Sequence, residues 1–291
     1  MTGMVIWSMT DERDYRVVDV FTDRAYAGNP LAVVLDGEGL STQRMQSIAR
    51  EFNLSETTFV LPTTVESASY RVRIFTPSTE LPFAGHPSVG TAWVLADLGR
   101  IPLGPVVQEC AAGLMPVDVD ADGAMLTGGE PFAGDPLDET PFLTALGLTA
   151  ADFAGTAVRL CGCGLDWAYL HVRADAVARV QVNVAALADL PGAGVYVFSL
   201  DGDRAHARSF AAGVGVAEDP ATGSAALGLG VYAVVSKLVD ATQSTIHIRQ
   251  GVEMGRPSQL DVTVDAAGGI PTRVRVRGGV RPVMSGLLTI T

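Results

Sequence analysis

ELPFAGHPSVGTAWVLADLG, Glu80 to Gly99, and its faint echo ATGSAALGLGVYAVVSKL, Ala221 to Leu238, decide the fold. Pro87 suits the first turn of a helix and Gly99 its stop, so the spacing predicts a helix over Pro87 to Leu98 with Gly85-His86 at its entrance. Between Val89 and Leu95 that helix has almost no polar face, and a helix apolar all round must be enclosed on all sides. The second stretch sets Gly223 opposite Gly85 and Gly228 opposite Gly90, and carries no charge from Ala225 to Val235. Gly228 and Gly230 each cost a helix about 1 kcal/mol relative to Ala, which is accounted for if a surrounding sheet comes close. Upstream, Arg208-Ser-Phe210 echoes Arg73-Ile-Phe75. The expectation is an α+β chain of two similar halves, each a curved, mostly antiparallel sheet around one central buried helix.

Gly128 to Gly134, GGEPFAG, marks the boundary, giving an N-terminal half over 15–128 and a C-terminal half over 129–279. The last strand, about 280–291, returns to complete the first half. Residues 1–14 lack a clean period and end in the charged run Asp11 to Asp14, so they read as a loose leader. YRVVDVFT and PLAVVLD read as strands around the turn-forming Ala27-Gly28-Asn29-Pro30. Ser41 caps a helix with Met45, Ile48, Ala49 and Phe52 on its buried face. Arg273, Arg275 and Arg277 alternate on one strand face and are most simply a solvated edge.

NLSETTFV, Asn53 to Val60, poses the functional question, because Glu56 falls in the middle of a segment that reads as a strand, on the side of Leu54, Thr58 and Val60. Two readings stand: a strand-end Glu paired with Lys or Arg, or a general base whose apolar neighbours raise its pKa toward working pH. The chain has 291 residues, 48% of them hydrophobic, and a net charge of −12, which repels phosphate backbones and anionic lipid. No nucleic-acid partner, no membrane and a soluble cytoplasmic protein are expected, since the longest apolar run, Ala225 to Val235, is too short to span a bilayer. Cys110, Cys161 and Cys163 read as reduced, buried thiols with no cluster to complete a metal site.

GHP and TGSA each put glycine and free backbone N–H groups at a helix start, which attracts anions. If the halves face each other, both entrances converge on one cleft and hold a carboxylate despite the acidic surface. His86 and Ser224 then hold equivalent places. Alone, His86 is an N-terminal cap or core histidine, Ser224 an ordinary N-cap, and Asp219 the shaper of an Asp-Pro loop; an Asp beside a His also orients the imidazole and raises its pKa.

Five ordered blocks, DVFTDRAYAGNPLAVV, MQSIAREFNLSETTFV, RIFTPSTELPFAGHPSVGTA, EDPATGSAALG and QGVEMGRPS, resemble the PhzF-like phenazine biosynthesis isomerases of the diaminopimelate epimerase-like fold superfamily, from about Tyr15 to the C-terminus. The resemblance implies the duplicated fold with its site between the halves, a homodimer, and a cofactor-free isomerase of secondary (antibiotic) metabolism that moves a double bond by proton abstraction and return. It matches the family's acid/base glutamate to Glu56 and its catalytic His and Asp to His86 and Asp219. It assigns substrate contacts to Asn29, Ser55, Gly85, Gly223 and Ser224, and implies a small carboxylate substrate. After EDPATGSA the chain continues Ala226-Leu227 where phenazine-type sequences commonly have His-Gly, and CGCGLDWAYLHV departs from the usual middle segment. A dihydro-hydroxy-anthranilate and a 4-alkylproline diene precursor therefore both stand as substrates. The rival functions are a two-base amino-acid racemase or epimerase, which needs a thiol at each helix entrance, and a non-catalytic binding protein that keeps the fold.

Overall fold

The computed structural model describes residues 11–211, 216–240 and 242–290. In the N-terminal half the strands Asp11–Val20, Asn29–Val34, Glu56–Leu61, Tyr70–Phe75, Gly104–Cys110, Gly113–Val119 and Gly123–Thr127 pair in succession. The last strand, Ile270–Ile290, pairs with both ends of that series and closes a barrel of eight strands. Helix Gly85–Asp97 threads it, buried at every position from Gly85 to Leu95. In the C-terminal half, strands Arg159–Gly162, Asp166–His171, Val195–Asp201, Arg204–Ala211, Gln243–Gln250, Ser258–Ala267 and the start of Ile270–Ile290 wrap helix Gly223–Val235. That helix is buried from Gly223 to Val234. Each fully enclosed Leu or Val contributes about 1.5–3 kcal/mol, which explains why these helices need no polar face.

The connections repeat as well. Asn29–Val34 runs parallel to Glu56–Leu61, as Asp166–His171 does to Val195–Asp201. Each central helix then joins two parallel strands, Tyr70–Phe75 to Gly104–Cys110 and Arg204–Ala211 to Gln243–Gln250. Thr57 pairs with Phe75 as Val195 pairs with Phe210, so Glu56 and Gly194, one residue earlier, hold equivalent places. Ala32 pairs with Thr57 as Ala168 pairs with Val195, which makes Leu31 and Trp167 equivalent too. Before each central helix an Arg grips a Glu with two hydrogen bonds, Arg73 on Glu80 at 2.7 and 2.6 Å and Arg208 on Glu218 at 2.7 and 2.9 Å. Each guanidinium also covers a Phe ring, at 5.1 and 5.0 Å.

Four expectations change in detail. The first central helix starts at Gly85, with Ala84 as its N-cap, and not at Pro87. Glu56 is the first residue of its strand and not the middle, because Asn53 ends helix Thr42–Phe52 in the left-handed conformation and residues 53–55 form the link. The run Asp11 to Asp14 is strand, paired with Leu287 to Ile290; residues 1–10 of the expected leader lie outside the described residues. Arg275 and Arg277 are not on an edge, since their strand pairs with Ser258–Ala267 on one side and, from Arg275 onward, with Gly123–Thr127 on the other, whereas Arg273 lies before that second pairing and is exposed. Asp265 and Asp120 neutralise them. Among the described residues no helix is long and apolar enough to cross a membrane.

Candidate active site

The two central helices meet at their N-termini, glycine against glycine. A Cβ on Gly85 would fall 2.9 Å from the Gly223 Cα and 3.0 Å from the Ser224 nitrogen, so only glycine allows the contact. The first-turn N–H groups of a helix have no partner within it, and both sets border one cavity of about 140 Å³. Its polar lining is Glu56, His86, Asp219, Thr222 and Ser224; Leu81, Phe83, Leu165 and Trp167 make its apolar side.

The polar side chains form one connected series. Glu56 Oε2 lies 3.1 Å from His86 Nε2, within hydrogen-bonding distance but off line. On the far side of the ring, Asn29 Nδ2 is 3.2 Å from His86 Nδ1, and it also donates to Asp219 Oδ1 at 2.8 Å and to the Ala221 carbonyl at 3.0 Å. Those two acceptors fix the amide's orientation. His86 Nδ1 therefore presents its lone pair to Asn29, and the imidazole proton is assigned to Nε2, facing Glu56. Thr222 Oγ1 donates to Asp219 Oδ2 at 2.6 Å, and Gln250 Nε2 in turn donates to Thr222 Oγ1 at 3.0 Å and to the Asp219 carbonyl at 2.7 Å. Gln250, fully buried, also accepts from Tyr196 Oη at 2.9 Å and from the Thr222 N–H at 3.3 Å.

Burial and the neighbouring Asp219 charge hold the Glu56 carboxyl well above the usual carboxylate range. Asp219 is pushed up to about 6, by burial first, against the bonds from Thr222 and Asn29 that favour its charge. Burial takes His86 down to about 3, so its imidazole is neutral at working pH. A carboxyl brought toward neutrality beside a neutral imidazole passes between acid and base without a large penalty. Of the Glu56 oxygens Oε2 is sealed off, which leaves Oε1 to face the cavity.

The fold thus brings Glu56, His86, Asp219, Gly85, Gly223 and Ser224 to one cavity wall. Asn29 stands one bond behind it, on His86 and Asp219, and Ser55 stands outside the lining. The cysteines sit elsewhere, free and buried, and burial pushes Cys161 and Cys163 up to about 12. Among the described residues no His, Cys, Asp and Glu group suits a metal ion. Sequence reasoning missed Trp167, Thr222, Gln250 and Arg256. Gln250 and Arg256 lie in the quoted block QGVEMGRPS, but nothing in their type or spacing set them apart. Arg256 bridges the halves, donating to the carbonyls of Gly28 and Ala27 at 2.8 and 2.9 Å and to the buried Asp19 carboxylate at 2.5 Å.

Comparison with known proteins agrees with this geometry. The sequence matches the phenazine biosynthesis-like protein family, PhzC-PhzF, over residues 18–286. It is 38% identical to an uncharacterised isomerase of Mesorhizobium japonicum, covering 96% of this chain and 99% of the relative. It is 35% identical to trans-2,3-dihydro-3-hydroxyanthranilate isomerase of Pseudomonas aeruginosa, covering 91% and 95%. The crystal structure of a PhzF-family phenazine biosynthesis protein of Bacillus anthracis superposes with a TM-score of 0.86 at 25% identity, covering 96% of this chain and all of that one. A duplicated sheet-around-helix fold with a largely enclosed carboxyl at the meeting of two helix starts, matched along nearly its whole length, makes this chain a member of the phenazine biosynthesis-like family and an isomerase of the PhzF type.

Proposed function

We infer that the enzyme relocates a double bond in a small cyclic carboxylate by moving a proton through Glu56, without a cofactor. The observation that carries this reading is the placement of Glu56: its side chain only 13% exposed, shifted toward its protonated form, and set on a cavity bordered by two converging helix N-termini. The N–H groups of Gly85, His86, Gly223 and Ser224 hold the substrate carboxylate or the negative charge that develops during proton transfer. Glu56 takes a proton at one ring carbon and returns it at another. The neutral His86, held by Asn29, donates from Nε2 toward the Glu56 carboxylate each time the proton leaves it, and Asp219 keeps that network charged and oriented.

Trans-2,3-dihydro-3-hydroxyanthranilate, named for the Pseudomonas aeruginosa relative, is the first compound to test, with 4-alkylproline diene precursors second. We propose on the same family reading a cytoplasmic homodimer of secondary metabolism, and sedimentation of the purified chain tests the dimer. The test of mechanism is Glu56→Gln, which keeps shape and loses the base. Ligand affinity by calorimetry should persist while turnover followed by NMR falls by about 10² to 10⁴-fold. Wild-type turnover in that variant would return Glu56 to an ordinary strand residue.

A further inference from the structure

Threonine is a strong N-cap because its oxygen accepts from the open N–H groups of a helix's first turn. Thr222 occupies the N-cap of helix Gly223–Val235 and makes no such bond. Its hydroxyl is spent in another direction, and Gln250 sets that direction. The Gln250 amide has one orientation, since Oε1 accepts from the Thr222 N–H, which can only donate, and Nε2 donates to the Asp219 carbonyl, which can only accept. The second Nε2 proton then falls on Thr222 Oγ1 at 3.0 Å, and the single hydroxyl proton of Thr222 is left to donate to Asp219 Oδ2 at 2.6 Å. Gln250 is fully buried and Thr222 only 8% exposed, so little solvent competes for either.

These bonds treat the two carboxyls of the site unequally. Both Asp219 oxygens accept from donors whose direction is set elsewhere, Oδ2 from Thr222 and Oδ1 from Asn29. Among the described residues the Glu56 carboxyl has no aligned donor, and only the off-line His86 Nε2 comes near it. Hydrogen bonds to a carboxylate favour its charge, whereas burial favours the neutral acid. We propose that Thr222 and Gln250 are positioning residues of the isomerisation: Gln250 commits the Thr222 hydroxyl to Asp219, which makes Asp219 the fixed anion of the site and leaves Glu56 as the one carboxyl that carries the proton. This deepens the reading of Glu56 above and rests on it. The other titratable groups facing Asp219 do not supply the distinction. His86 is neutral, the Tyr196 phenol is held protonated by burial, and the Glu218 charge, itself paired with Arg208, works against ionisation of Asp219.

The protonation of each carboxyl can be read in the substrate-free protein by carbon NMR of isotope-labelled Asp and Glu side chains, with Asp219→Asn and Glu56→Gln assigning the two signals. Thr222→Val removes the hydroxyl and nearly keeps the shape, so the Asp219 midpoint should rise by about one pH unit toward that of Glu56. Thr222→Ser, which keeps the hydroxyl, should leave the midpoint at its wild-type value. Gln250→Leu frees the hydroxyl to turn toward the helix and should raise the midpoint as well, but in a Thr222→Val background it should add nothing. If Gln250→Leu does not fold, the two Thr222 variants decide. On the substrate used for the Glu56→Gln test, the acidic limb of kcat/KM should move up with the midpoint, a change that lost packing, lowering turnover at every pH, does not produce. An Asp219 midpoint unmoved by Thr222→Val, an equal rise in Thr222→Ser, full additivity of Gln250→Leu and Thr222→Val, or a limb that stays in place while the midpoint moves would each overturn the proposal. Wild-type turnover by Glu56→Gln would instead sink the reading of Glu56 as proton carrier, and the midpoints, read without substrate, would stand apart from that result.

Discussion

At the scale of single residues the site holds two carboxyls against their solvation preference, and that has a sign in stability. Glu56 has a folded-state pKa raised above its unfolded value, so its contribution to stability is fully present below the unfolded pKa and is lost as pH rises through the folded one. Glu56→Gln removes that loss. The variant should melt above the wild type at pH 8, with the gap closing as pH falls toward the ordinary glutamate value, checked by calorimetric scans across pH. Glu56→Asp tests position instead of charge: withdrawing the carboxyl by roughly a methylene should cost about 10²-fold in turnover. Behind them, Gln250 spends all its hydrogen-bonding capacity on Thr222, Asp219 and Tyr196. Gln250→Leu strands several buried partners at once and should destabilise by about 2–4 kcal/mol in urea unfolding.

Elements obey a packing rule that single residues do not reveal. The second central helix sits so close to its wall that a Cβ on Gly228 would fall 2.2 Å from Tyr169 Oη, the hydroxyl that donates to the Ala225 carbonyl at 2.6 Å. Gly228→Ala should therefore cost about 1–3 kcal/mol despite the better helix propensity of alanine. Tyr169→Phe removes the obstructing oxygen, so the double variant should recover part of that loss, leaving a coupling term in a double-mutant cycle. Full additivity would mean that the helix is displaced by the Cys161 carbonyl, which the same Cβ would meet at 2.9 Å. The apolar helices and their glycines were legible in sequence because enclosure leaves a compositional trace. The helix start at Gly85 and the strand start at Glu56 were not, because each depends on where a neighbouring turn ends.

For the whole molecule, Arg256 is the tie that matters most to the site. It reaches from the C-terminal half to Asp19, Ala27 and Gly28, next to the Asn29 that holds His86. Asp19 is 2% exposed, so Arg256→Ala leaves a buried carboxylate unpaired and should destabilise by about 3–5 kcal/mol, read by denaturant unfolding. Arg256→Lys keeps the charge but loses the fork, and should retain the fold while lowering turnover more than stability.

Sequence alone determined that two glycine-started, apolar helices must be enclosed by sheet and that the halves repeat, because burial and helix starts act on short stretches of chain, and it singled out Glu56, His86, Asp219 and Ser224, which the fold brings to one cavity. Only the tertiary structure decided that Ile270–Ile290 belongs to both halves, turning an expected arginine edge into the interior of a sheet. It also decided that Trp167 meets Ser224 at the cavity, and that Gln250 and Arg256 hold the site from residues 28 or more positions away. Those facts are strand registers and distant contacts, set by which surfaces meet after folding and carried by residues whose type is ordinary where they stand.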